Sequence, residues 1–262
     1  MHTQVKTKKT QLSVFTGYAE YSAKLADFGI VHNGNAVHLE GPTEPFVPDP
    51  AYKAEVLLDH RDKAFALAEL IRQSAEYAME IGIYDPAHQI KRIQAHLDDL
   101  VAPRGNAATV CGFTLKIDPY SIDDRIVSHE FVHLMDNASP IYSASYAFNA
   151  EVLTEMRADL FSALLTSRGK SGTERTEEIL MFYAGMGVDV LNVIGAVTGK
   201  YHGSGISDFA HGTEDRTLFK YISGGIMAVA TLAKNRFDLD RTMTDLFTAQ
   251  SAYEIMDGLL RT

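Results

Sequence analysis

The chain has 262 residues, 46% of them hydrophobic, and a formal net charge of −10. That length and composition suit one packed globular domain, and the acidic balance argues against a nucleic-acid binder, which would carry a basic face. The single cysteine, Cys111, excludes an intrachain disulfide and a thiolate zinc cluster.

Residues 1–50 read as a mixed, partly extended lead-in; residues 51–262 read as the main domain. The start is charged and has no apolar stretch behind it, unlike a secretory signal, so the expected location is the cytoplasm. The lead-in closes in a proline-rich connector, 41–50, that no helix crosses. Apolar residues at Leu67, Ala68, Ile71, Ala75 and Ala78 then predict a helix over 51–83. Asp85-Pro86 resembles a helix start, which predicts a second helix to about Val101. The run Ala108–Ile117 predicts a strand, rich in Thr, Val, Phe and Ile. Ser121 followed by Asp124 predicts the start of a helix over about 122–135.

Further helices are predicted over about 150–167, 177–197, 214–234 and 241–260, with a glycine-rich loop at 199–212. The longest apolar stretch, Ile179–Thr198, is interrupted by Asp189 and Asn192 and reads as a buried helix rather than a membrane span. The expected fold class is α+β: mostly helical, with a small antiparallel sheet ahead of the 122–135 helix.

That helix carries His129-Glu130-Phe131-Val132-His133. Histidines four apart share one face of a helix, one turn apart, and two such imidazoles suit a single zinc ion. Glu130 points to a neighbouring angle. From there it reaches water rather than the ion, and it can take a proton and pass it to a leaving amine. Apolar neighbours such as Ile126, Val127, Phe131 and Met135 predict a largely buried helix, in which the polar groups need partners. Catalytic zinc takes a third protein ligand. Asp136 and Ser139 exclude the pattern HExxHxxGxxH. The next helix offers Glu155, with Asp159 four residues on and able to accept a ligand histidine's free ring N–H. Glu151 is a weaker candidate one turn earlier, and Asp215 of Gly212-Thr213-Glu214-Asp215 is a competitor, through its likeness to the aspzincin motif.

The pair His129-Glu-Phe-Val-His133 and Glu155-Met-Arg-Ala-Asp159 resembles the gluzincin metallopeptidases, whose signature is HExxH followed by ExxxD. The likeness is to compact members similar to CAAX-prenyl-type and phage-exclusion Lit-type peptidases, and it spans about residues 106–220. It implies a zincin-like domain with His129, His133 and Glu155 as zinc ligands, Glu130 as the catalytic base and Asp159 as a support. The strand Gly112–Ile117 would be the edge that pairs with substrate. His211, followed by Gly212 where those relatives carry proline, would stabilise the oxyanion with help from Arg216. Tyr142, Tyr146 and Tyr201 are other donors for that role. The expected activity is zinc-dependent hydrolysis of a peptide or protein substrate, with no nucleic acid or membrane partner. The alternative is a zincin-fold regulator that binds its target without cutting it.

Overall fold

A computed structural model describes residues 11–15, 20–24, 38–39, 50–84, 92–97, 108–137, 147–199 and 216–260. The chain divides into two compact units, Met1–Ser139 and Pro140–Thr262. The class is the expected one: mostly helical, with a sheet confined to the first unit.

The sheet of the first unit has six strands: β1 (Gln11–Phe15), β2 (Glu20–Lys24), β3 (His38–Leu39), β4 (Arg92–Leu97), β5 (Ala108–Cys111) and β6 (Thr114–Ile117). Their order is β3-β2-β1-β4-β6-β5. It is mixed rather than antiparallel, because β4 pairs in parallel with both β1 and β6. The lead-in is therefore part of the sheet. Helix α1 (Pro50–Glu80) matches the predicted span closely, and it packs against β1 and against α2 (Asp124–Asn137). Helix α2 packs in turn on β5 and β6.

Two strand expectations need correction. The segment predicted as a helix to about Val101 contains β4. Its inward residues Ile93 and Ala95 alternate with half-buried Gln94 and His96, the period-2 pattern of a strand. Ala95 aligns with Leu115 of β6 and Leu97 with Ile117, so these apolar groups share one face. The run Ala108–Ile117 is two strands, not one. It turns at Gly112-Phe113 and pairs antiparallel, Val110 opposite Leu115.

The second unit is helical: α3 (Ala147–Thr166), α4 (Gly172–Gly185), α5 (Val190–Val197), α6 (Arg216–Lys234), α7 (Leu239–Thr248) and α8 (Ala252–Leu260). Helix α3 is its centre, packed by α4, α6, α7 and α8 and buried without interruption from Val152 to Leu164. The predicted helix 177–197 breaks in two. Gly187 sits at φ 89°, where glycine alone is unstrained, and Asp189 caps α5 by accepting from Asn192 N–H. Asp189 is thus a cap and not a core charge. The two pieces meet at 116°, and among the described residues no single helix is long and apolar enough to cross a membrane. The predicted helix 241–260 is likewise two, α7 and α8.

Candidate metal centre

The candidate ligands fall on one helix of each unit. In the first unit, a short turn at Pro119–Ser121 leads into α2. The cap of α2 is Asp123, whose Oδ1 accepts from Ile126 N–H at 2.7 Å; Ser121 instead donates to Asp118 Oδ2. Val127, Ser128, Phe131, Val132, Leu134 and Met135 are buried, and Tyr84 meets the Phe131 ring edge-on at 5.6 Å. This packing fixes the rotation of α2 about its axis. His129, Glu130 and His133, all half-buried, occupy the remaining stripe.

The two imidazoles face each other through Nε2, 3.1 Å apart, with ring centroids 4.8 Å apart and planes at 81°. Two nitrogens bound to one tetrahedral zinc at the usual bond length lie about 3.3 Å from each other. The pair therefore already has nearly the spacing that one shared ion requires. At 3.6 residues per turn, Glu130 lies about 60° around the helix from His133, beside the pair and not within it. Asp136 falls on the same stripe, three residues beyond His133, and is buried. In the sequence Asp136 served only to exclude another motif, although its spacing from His133 was an available signal.

In the second unit, Glu155 and Asp159 lie one turn apart on α3 and are 4% and 3% exposed. Two carboxylates at such depth are costly unless charged or hydrogen-bonding groups meet them. Arg157, between them in sequence, points the other way. Its guanidinium donates to the carbonyls of Leu246 (2.9 Å), Ala249 (2.6 Å) and Phe247 (3.4 Å) at the end of α7. A cation there meets the negative end of the helix dipole. It anchors the side of α3 opposite the carboxylates. Helix α6 lies close against the backbone beside Glu155. A Cβ on Gly224 would stand 3.2 Å from Met156 N and 3.3 Å from Val152 O. The phenol of Tyr183 on α4 is pushed well above its ordinary value of 10, first by complete burial and then by the charge of Asp159.

The structure thus brings His129, Glu130 and His133 together on α2, and Glu155 and Asp159 together on α3. Glu151 is half-buried. Arg216 is the first residue of α6. Its side chain lies outside the described residues, as do His211, Asp215, Tyr142, Tyr146 and Tyr201. Strand β6, which holds most of the run expected at the edge, is internal, and among the described residues β5 lies at that edge of the sheet. Arg157 was not anticipated as an anchor of α3. Compared with protein-family models, with curated proteins and with solved structures, the chain matches none.

Proposed function

We propose that this chain is a zinc-dependent peptidase of gluzincin type, in which His129, His133 and Glu155 hold one zinc ion. The observation that carries this reading is the 3.1 Å approach of the two Nε2 atoms on a helix face that also bears Glu130. Two neutral imidazoles and a carboxylate are the donor set of a catalytic zinc site with one open position. Zinc, when bound, polarises a carbonyl and lowers the pKa of water to about 7.

The remaining chemistry belongs to the chain. Glu130 accepts the proton of the attacking water and returns it to the leaving amine. Asp159 accepts the free ring N–H of a ligand histidine, which fixes the tautomer and raises the basicity of the other nitrogen. Strand β5 (Ala108–Cys111), unpaired on its outer side among the described residues, offers backbone groups to an extended peptide. His211 and Arg216 stabilise the oxyanion. The working compartment is the cytoplasm, consistent with a chain whose one cysteine forms no intrachain bridge.

The test is elemental analysis of purified protein incubated with zinc and then dialysed, wild type beside Glu155→Ala. About one zinc per chain in wild type, lost in the variant while its far-ultraviolet circular dichroism is retained, is the expected result. Wild type that takes up no zinc overturns the reading.

A further inference from the structure

Helices α6, α7 and α8 border a cavity of about 260 Å³ within the second unit. Cavities that seat drug-sized ligands start at about 300 Å³, so an occupant here is a smaller molecule. Four charged side chains line it: Lys234 from α6, Arg241 and Asp245 from α7, and Glu254 from α8. Among the described residues none of the four makes an ion pair with another. Three of them are held instead by uncharged groups. Lys234 Nζ donates to the carbonyl of Gly258 near the end of α8, at 2.6 Å. Asp245 Oδ2 accepts from Asn235 Nδ2 at 2.9 Å, and Glu254 Oε2 accepts from Gln250 N–H at 2.7 Å. Asn235 is 4% exposed, and its own Oδ1 has no hydrogen-bond partner. Leaving a buried amide oxygen unsatisfied is costly, so packing does not account for Asn235. Its amide nitrogen, shared between Asp245 and Thr242 Oγ1, orients the carboxylate. The guanidinium of Arg241 makes no hydrogen bond or ion pair among the described residues. Buried Ile255 and Leu259 add an apolar wall.

Two cations and two carboxylates, set around one small space without neutralising each other, complement a ligand that brings both signs. We propose that this cavity binds a free α-amino acid with an aliphatic side chain. Its carboxylate meets Lys234 and Arg241, and the planar fork of the guanidinium suits a carboxylate in particular. Its ammonium meets Asp245 and Glu254, and its side chain lies on Ile255 and Leu259. The inference does not rest on the zinc reading. Ala249 also lines the cavity, and its carbonyl accepts from Arg157 of α3 at 2.6 Å. An occupant therefore lies beside the anchor of the helix that carries Glu155.

The experiment is isothermal titration calorimetry of the full chain, wild type beside Arg241→Gln, with three probes. These are L-leucine, L-leucinamide, which lacks the carboxylate, and 4-methylpentanoate, which lacks the ammonium. L-leucine is expected to bind wild type at one site per chain. Each analogue should bind about tenfold more weakly or worse, the ordinary worth of hydrogen bonds to a charged group. Arg241→Gln should weaken L-leucine by about the same factor. Its melting temperature without ligand should match wild type, because that guanidinium makes no bond within the described fold. Wild type without saturable L-leucine binding overturns the inference. So does either analogue binding as tightly as L-leucine, and so does Arg241→Gln with wild-type affinity. Metal content enters none of these measurements, so a failure here leaves the zinc reading intact, and a chain that takes up no zinc leaves this inference intact.

Discussion

Replacing Gly225 with alanine introduces one methyl group where α6 meets the turn after α4. The new Cβ would stand 2.7 Å from Val188 Cγ2, 3.3 Å from Tyr183 Cδ1 and 3.7 Å from Tyr183 Cε1. Val188 is a stiff β-branched residue and both neighbours are buried, so something in the core must shift. Two effects oppose each other. Alanine in a helix interior is better than glycine by about 1 kcal/mol. Overpacking a filled core costs about 1–3 kcal/mol. The close contact decides the sign, and the expected net result is a loss of about 1 kcal/mol. Gly185 at the end of α4 is the control, since a Cβ there meets nothing within 4 Å. Gly185→Ala should gain about 0.5 kcal/mol. Urea unfolding monitored by circular dichroism reads both as midpoint shifts of opposite sign. If Gly225→Ala raises the midpoint as much as Gly185→Ala does, the packing argument for α6, and with it the close seat of Tyr183, is wrong.

Glu130→Gln should lower the cleavage of a quenched peptide library by about 10²–10⁴-fold while zinc content stays at the wild-type level; loss of zinc together with activity would move Glu130 into the ligand set. Arg157→Met keeps most of the aliphatic stem but strands the carbonyls of Leu246 and Ala249, and should cost about 3 kcal/mol in urea unfolding. A change below about 0.5 kcal/mol would show that those carbonyls do not depend on it. The folded-state pKa of Tyr183 is raised above its unfolded value of 10, so its protonated form is favoured by folding. That contribution is complete below pH 10 and lost as pH rises beyond it, at up to about 1.4 kcal/mol per pH unit. Tyr183→Phe should therefore flatten the fall in urea midpoint between pH 9 and pH 11; an unchanged slope would show that the phenol is not held neutral by the fold.

Much of the site was legible because its geometry is local. The four-residue spacing of His129 and His133 on a helix brings their rings together whatever surrounds them, and the structure returns a 3.1 Å approach. Glu155 and Asp159 obey the same rule on α3. The 31-residue helix α1 was likewise readable from its period. The misreadings lie where the deciding contact is distant. Residues 92–97 suit a helix or a strand by composition; pairing with β1 on one side and β6 on the other makes them β4. The run at 108–117 reads as one strand until the turn at Gly112-Phe113 folds it on itself. The helix at 177–197 reads as one until Gly187 takes a left-handed conformation and Asp189 caps a new helix, α5.

The groups that support the carboxylate helix were hidden for the same reason. Arg157 finds its acceptors 89 and 92 positions along the chain, and an arginine in a helical pattern carries no mark of that partnership. Tyr183 looks like ordinary core in the sequence, and only its complete burial makes its hydroxyl conspicuous. By itself, then, the sequence determined the helical class and the placement of the candidate ligands on two helices, because helical periodicity is set by backbone geometry within a few residues. The tertiary structure alone decided the sheet's register and direction, the breaks in the long helices and the partners of the buried charges, because each depends on which distant segment comes to lie alongside.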